Sequence, residues 1–273
     1  MSEYVKGTIY RNVLTGLDKA FVIDTETKEK LISEDLKSAE LIKPYLMGRD
    51  VKRYQSPSSN RCLIFTRHGI DIKKYPAIHK HLISFKEQLM PKPKDWKGET
   101  WKGRKPGPYK WYEIQDAIDY YTEFEKPKIM YLKFQVKTAF VFDDAEFYPN
   151  SAVWVIPRND LYLLGILNSK LGWFLISNYC TQIQNGYQLI FKYLGRIPIR
   201  TIDFNNPSEK ATHDKLASLV DRMLELHKKK NSLPPSAERE KIEREIAITD
   251  EKIDEIVYGL YGITEEERKI IEG

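Results

Sequence analysis

Two cysteines, Cys62 and Cys180, are all that 273 residues contain. A disulfide scaffold and a four-cysteine zinc site are therefore both excluded. Cys180 ends an apolar segment with no histidine beside it, which reads as a buried structural thiol rather than a nucleophile. No apolar run approaches the ~18 residues of a membrane span, so no membrane partner is expected. The opening residues, Met1 to Asn12, lack the basic-then-apolar layout of a secretory leader, and the expected location is the cytoplasm. Glycine-rich phosphate loops and the G-x-S-x-G nucleophile turn are missing. So is the tetrad of amino-methylating enzymes, an Asn, Asp or Ser followed by Pro-Pro and an aromatic. Asn206-Pro207-Ser208 and Leu233-Pro234-Pro235-Ser236 are the nearest spellings, and both fail. One catalytic spelling survives. Asp18 with Glu26-Thr27-Lys28 has the carboxylate and E-x-K order with which metal nucleases hold Mg²⁺ on a strand. Chance supplies that order freely in a chain with 30% charged residues, and residues 24–30 read as an exposed polar turn. His79 and His81 are two apart, too few to share one side of a helix, so they read as solvated histidines rather than metal ligands.

What the chain does have is basic charge in one place. Residues 48–112 hold 16 basic and 5 acidic groups, whereas 1–47 hold 7 and 8, 113–208 hold 9 and 10, and 209–273 hold 12 and 16. The net charge of +5 is thus +11 on one stretch and −4 on the last. A block of this kind is the footprint of a polyanion binder. Within it Trp96, Trp101, Tyr109, Trp111 and Tyr112 interleave with Lys102, Arg104, Lys105 and Lys110. A surface that serves only solubility rarely carries so many rings.

Periodicity and punctuation divide the chain further. Gly7–Tyr10 and Ala20–Ile23 read as short strands about a Thr15-Gly16 turn, Ser38–Leu46 as a short helix stopped by Gly48, and Arg61–Thr66 as a buried strand. Ile78, Leu82, Phe85 and Leu89 mark an amphipathic helix over Tyr75–Leu89. Residues 90–112 have no period and read as a long ordered loop. Lys128–Leu132, Ala139–Phe142 and Ala152–Ile156 are β-rich runs. Asp160 caps a helix through Leu161, Leu164, Leu167 and Leu171. A polar-aromatic stretch, Thr181 to Tyr187, follows. After Pro207 two apolar stripes, Leu216–Leu226 and Ile242–Leu260, flank the breaker Asn231-Ser-Leu-Pro-Pro-Ser236 and predict a helical hairpin. Its stripes face each other or a partner, and a dimer through the hairpin is one expectation.

Several segments, in order, carry a resemblance. Ile42-Lys-Pro-Tyr-Leu-Met-Gly-Arg-Asp-Val-Lys-Arg-Tyr54 resembles the I-K-P-x-L-x-G-x-D-I-x-R-Y segment of TaqI-like C-terminal specificity domains. Gly16-Leu-Asp-Lys-Ala-Phe-Val-Ile-Asp24 resembles their opening T-G-L-N-x-A-F-x-I-D, with Asp18 where Asn is frequent. Gly103-Arg104 with Tyr109-Lys-Trp-Tyr-Glu113 is similar to G-R…Y-x-W-(Y/W)-E. Glu125-Lys-Pro-Lys-Ile129, Leu163-Leu-Gly-Ile-Leu-Asn-Ser-Lys170 and Gly186-Tyr187…Phe191…Ile197-Pro198-Ile199 are similar to later segments, although Leu132–Lys137 replaces the usual P-(D/E)-I. The end, Asp254–Leu260 with Tyr261-Gly262 and Thr264–Glu267, resembles the helical tail of type IIG restriction–modification enzymes.

The resemblance implies an α+β fold. It consists of a mixed, twisted β-sheet target-recognition domain with flanking helices over 1–207, then an antiparallel helical hairpin over 208–273. It implies a non-catalytic module that recognises double-stranded DNA. Catalysis would lie in a methyltransferase or nuclease domain of the same or a neighbouring polypeptide, and S-adenosylmethionine and Mg²⁺ would bind there rather than in this chain. Charge and residue type then nominate Arg49, Lys52, Arg53, Arg67, Lys73, Lys74, Lys102, Arg104 and Lys105 for phosphates. Arg104, Lys110, Gln182, Gln184 and Asn185 are nominated for base edges, with Tyr112 and Tyr187 beside them. Trp111 is expected in the core. The alternatives are a metal nuclease at Asp18, Glu26 and Lys28, or a hairpin that serves only protein interaction.

Overall fold

The computed structural model describes residues 1–273. Ten strands form three sheets. β1 (Val22–Asp24), β2 (Ile42–Leu46) and β3 (Arg61–Ile64) join β7 (Tyr148–Pro149) in the order β1-β3-β2-β7, a mixed sheet because β2 and β7 run parallel. β4 (Lys128–Leu132) lies antiparallel between β6 (Phe140–Asp143) and β8 (Val153–Ile156). β5 (Phe134–Gln135), β9 (Thr181–Ile183) and β10 (Gly186–Gln188) form a small ribbon with β10 in the middle. The helices of two turns or more are α1 (Thr25–Glu34), α2 (Pro76–Ile83), α3 (Leu161–Asn168), α4 (Lys170–Tyr179), α5 (Pro207–Ser232), α6 (Ala237–Tyr261) and α7 (Glu265–Glu272).

The sheet β6-β4-β8 is a wall between two cores, and the two-residue alternation of strand side chains assigns its residues to them. Met130 lies opposite Val141 and Val155, and these three join Phe21, Leu63, Ile78, Leu82, Phe124 and Tyr148 in the first core. Its neighbours Ile129 and Tyr131, opposite Phe142 and Phe140 on one side and Ile156 and Trp154 on the other, face the second. There they meet Leu163 and Leu167 of α3, Leu216, Val220 and Met223 of α5, and Ile253 and Val257 of α6.

That second core governs the tail. The expected boundary at 207/208 is a change of composition, but packing does not separate there, because α5 lies directly on α3. Gly165 makes the close approach possible, since a Cβ on it would stand 2.9 Å from Val220 Cγ2 and 3.1 Å from Leu216 Cδ1. The hairpin exists as predicted, and its apolar stripes face each other and α3. Leu216, Val220, Met223, Leu226, Ile242 and Ile253 are buried within the chain, while Leu219, Ile246, Ile256 and Leu260 are half-buried.

Local expectations were altered by specific residues. Ser38–Leu46 is one helical turn followed by β2, because Pro44 cannot donate within a helix and Ile42 and Lys43 pair with Ile64 and Leu63. The segment at Ala20 is a helical turn, Asp18–Phe21, before β1. Residues 2–7 form turns, and Tyr10 makes only a single bridge to Val155. The Tyr75–Leu89 helix breaks after Ile83 and resumes for one turn at Lys86–Leu89. The helix begun by Asp160, whose carboxylate accepts from Leu163 N at 2.8 Å, stops at Asn168. Ser169 then caps α4 by accepting from Gly172 N at 2.9 Å. Residues 24–30 are the start of α1, capped by Asp24, and not a turn.

Candidate nucleic-acid interface

The loop over 90–112 is organised from inside by Arg104. Gly103 lets the chain pass close to Met90, whose carbonyl oxygen would lie 2.2 Å from a Cβ at that position. Arg104 then turns inward and is only 4% exposed. Its Nε donates to Leu89 O at 2.9 Å, Nη1 to Thr15 O and Glu113 O at 2.8 Å each, and Nη2 to Trp111 O at 3.0 Å and Lys110 O at 3.3 Å. The guanidinium packs 4.4 Å from the centre of the Tyr109 ring. Burial pulls its pKa down to about 10, against the opposing pull of Tyr109 and Glu113, so it stays cationic at neutral pH. Glu113, also buried, accepts from Gly69 N at 2.9 Å and Lys110 N at 2.8 Å. The Gly-Arg…Glu motif is thus a clasp that holds three loops together. Arg104 has no free donor edge to offer a base or a phosphate, and its nomination for both is corrected.

Arg53 is corrected likewise. Nη1 and Nη2 donate to the two oxygens of Asp250 at 2.6 Å each, while Nε and Nη2 also reach Asn168 O at 3.0 and 2.7 Å. This bidentate pair staples α6 to the end of α3. The other nominated cations stand at the surface: Arg49, Lys52, Arg67, Lys73, Lys74, Lys102, Lys105 and Lys110 are exposed. Arg49, Lys102 and Lys110 have only long contacts, 3.5–3.9 Å, to Asp50, Glu87 and Glu113. Arg67 lies over the Tyr121 ring and Lys110 over the Tyr112 ring. Tyr112 and Trp111 are half-buried and meet edge to face at 5.5 Å, both leaning on the first core.

The polar-aromatic stretch is the hairpin β9–β10. Ile183 pairs with Gly186 across a two-residue turn, Gln184-Asn185. Gln184 has φ 53°, a conformation that ordinarily favours glycine. Gln182, Gln184 and Asn185 are exposed, and their side chains make no hydrogen bond within the chain. Tyr187 is half-buried, edge-on to Trp173 at 5.5 Å. The hairpin is joined through β5 to a cleft of about 860 Å³ between the loop over 132–139 and helices α4 to α7. Lys52, Lys137 and Lys170 line it together with Phe134 and Trp173, and so do Asp250 and Glu272, the latter paired with Lys170 at 3.0 Å. Lys137 and Phe134 escaped the sequence reading, and so did Lys170 as a site residue. The sequence holds a signal for them, because no Asp or Glu occurs from Leu161 to Ile202 or from Lys133 to Phe142.

His227 lines the cleft, and Asp254 bonds the backbone of Lys170, which also lines it. Asp254 is buried, accepts from the first N–H of α4 (Lys170 N, 2.9 Å), and is pushed up to about 6 by burial. His227, with Nδ1 buried and unpartnered, is pulled down to about 4, first by burial and then by Lys230 and Arg53. A raised carboxylate pKa means that folding favours the protonated form. Its contribution is complete below ~pH 4 and is lost as pH rises through about 6. His227 contributes in the opposite sense, fully above ~pH 6.5 and lost as pH falls through about 4. Asp254→Asn, which keeps an acceptor for Lys170 N, is therefore expected to be more stable than the unaltered chain at pH 7, by about 1–3 kcal/mol. The difference should vanish near pH 4, and urea denaturation at the two pH values checks it.

No group of three or more His, Cys, Asp or Glu side chains is placed to hold a metal ion. Glu26 and Lys28 lie on α1 and not on a strand, so the E-x-K spelling lacks the geometry it needs.

The family model for the TaqI-like C-terminal specificity domain matches residues 43–199, more than half of the chain. The chain belongs to this family. No curated protein matches it in sequence. Among solved structures it is similar to the type IIL restriction–modification enzyme MmeI in complex with DNA, with TM-score 0.63 and 15% identity. The match covers 94% of this chain and 33% of that one, and it shows a shared fold. The type IIG restriction endonuclease BpuSI is more distant, with TM-score 0.45, 12% identity, 92% of this chain and 30% of that one. The specificity domain described here thus spans about a third of each of these enzymes. No helix is long and apolar enough to cross a membrane.

Proposed function

We propose that this specificity domain recognises a sequence in double-stranded DNA and leaves the chemistry to other domains. The observation that carries the reading is the hairpin Gln182–Tyr187. Three amide side chains with no partner inside the chain stand in solvent beside a cleft that carries the unpaired Lys52 and Lys137, in a domain family named for specificity. Amides of this kind pair with base edges, adenine above all, while lysines neutralise phosphates. MmeI, whose fold this chain shares, is described in complex with DNA, which is consistent with the same role here.

The division of labour follows from the residues. Lys52, Arg67, Lys73, Lys74, Lys102 and Lys105 supply affinity without sequence information. The methyltransferase or nuclease domain, in the same or a neighbouring polypeptide, carries S-adenosylmethionine and Mg²⁺. Methylation of adenine needs the base flipped out of the duplex, and this domain would hold the flanking sequence in register during that step. Such work belongs in the cytoplasm. Fluorescence anisotropy with a mixed-sequence duplex tests the electrostatic half. Binding is expected at ~50 mM salt and should weaken by roughly a thousandfold by ~200 mM if six or more phosphates are contacted. Lys73→Ala with Lys74→Ala should weaken all duplexes alike. Absence of binding at ~50 mM salt would overturn the reading.

A further inference from the structure

The ribbon β5–β10–β9 has two faces, and its register separates them. Gln182, Tyr187 and Gln135 lie across from one another. This is the face turned to the body of the domain: Gln135 is buried, its Nε2 donates to Leu132 O at 3.1 Å, and its Oε1 accepts from Ala139 N at 2.9 Å. Tyr187 rests against Trp173. Side chains alternate along a strand, so Thr181, Ile183, Gln188 and Phe134 point the other way, with Val136 continuing the series. On this outer face Phe134, Val136 and Ile183 are 40%, 52% and 39% exposed. Gly186 lies between them. A Cβ there would come within 2.7 Å of Phe134 Cζ and 3.0 Å of Val136 Cγ1, so these two side chains close over the glycine into one apolar patch. The side chains of Gln188 and Thr181 make no hydrogen bond within the chain.

The surroundings of this patch identify its occupant. The strand segments that build the ribbon hold no acidic residue, and Lys133 and Lys137, which flank Phe134 and Val136 in the chain, have no ion-pair partner, whereas Lys170 in the adjoining cleft is paired with Glu272 at 3.0 Å. An exposed apolar patch marks a binding surface, and unpaired lysines beside it favour an anionic partner. A DNA major groove is anionic at its rims, is wide enough for a two-stranded ribbon, and carries the thymine methyl group as an apolar contact. Resting on the reading of the preceding subsection, we infer that the outer face of this ribbon enters the major groove. Gln188 hydrogen-bonds a base edge, and Phe134, Val136 and Ile183 pack on thymine methyl groups. Gln184 and Asn185 at the turn lead the ribbon in, with Gln182 exposed at its other face.

The test starts from a pool of duplexes with a randomised 20-base-pair centre, enriched on the full chain at ~100 mM salt. The enriched duplex is then made with uracil in place of thymine. Loss of the methyl groups is expected to weaken binding by roughly threefold to tenfold, and this arm needs no altered protein. Val136→Ser and Ile183→Ser should bind the thymine and uracil duplexes equally. Gln188→Ala should reduce discrimination at one base pair by roughly tenfold or more. Far-UV circular dichroism and the unfolding midpoint confirm that these surface variants stay folded. An enriched duplex indifferent to uracil, or ribbon variants with the preference of the unaltered chain, would overturn the inference and leave DNA recognition standing. An unaltered chain that binds no duplex, or binds without enrichment, would overturn the underlying reading together with the inference.

Discussion

Arg104→Ala should unfold far more easily than the unaltered chain, by about 3–5 kcal/mol, the range for removing one partner of a buried charged network. Five carbonyl oxygens would lose a bond at once, and four of them, those of Leu89, Thr15, Glu113 and Trp111, would lose their donor, while Lys110 O keeps Glu113 N. The buried Glu113 would also lose a neighbouring positive charge, keeping only Lys110 at 3.9 Å. Arg104→Lys should recover little, because one ammonium with three donors cannot span carbonyls that a planar fork with five reaches. Urea denaturation followed by circular dichroism reads the effect. The sequence alone nominates this arginine as a base reader, for which the opposite pattern holds: unchanged stability and altered preference. That pattern would show that the clasp is not formed.

Asp143→Ala is the second large effect. Lys128 and Asp143 are cross-strand partners at the end of the dividing sheet, ion-paired through Lys128 Nζ and Asp143 Oδ2, and neither side chain is exposed. Asp143 also accepts from Ala145 N and Phe147 N, at 3.0 Å each. Removing the carboxylate strands an ammonium inside the protein and frees two backbone donors. A loss of about 3–5 kcal/mol is expected. Lys128→Met combined with Asp143→Asn should restore much of it, since the unpaired charge disappears and an acceptor for one of the two N–H groups returns. Thermal unfolding of the single and double variants compares them directly. A double variant as unstable as Asp143→Ala alone would show that the backbone bonds, rather than the charge, dominate.

These two sites explain what the sequence made legible. The motifs that carry the family resemblance are built into the scaffold. Arg104 and Glu113 clasp the basic loop. Glu125 joins Lys43 at 2.8 Å and the Tyr148 hydroxyl at 2.9 Å. Asn168 brackets Phe140 with its side-chain amide, and its carbonyl receives Arg53. Such residues recur in order because they fix the fold, so they identify the family and the α+β architecture without marking the interface. The hairpin after Pro207 was legible from its stripes and breaker, but its docking on α3 was not, because nothing in a stripe says which surface covers it.

The interface was legible only in part. Total charge by segment pointed to 48–112, and most of those cations do stand in solvent. That total includes Arg53 and Arg104, although both are committed to intramolecular bonds. It also averaged the acid-free segments around 133–142 and 161–202 with the acidic residues at 113–125 and 143–146, and so concealed the lysines of the cleft. Phe134, Val136 and Ile183 carry no charge signal at all. Strand register alone brings them onto one face, and register is a property of pairing that a single strand's residues do not display.

The most direct test of DNA recognition is the ratio of two affinities measured with the full chain at ~150 mM salt, one for its best enriched duplex and one for a scrambled duplex of the same length and composition. Specific recognition predicts a ratio of roughly a thousand or more. A ratio near one, with both affinities falling together as salt rises, would contradict it and leave only the charge of residues 48–112 binding DNA as a polyanion.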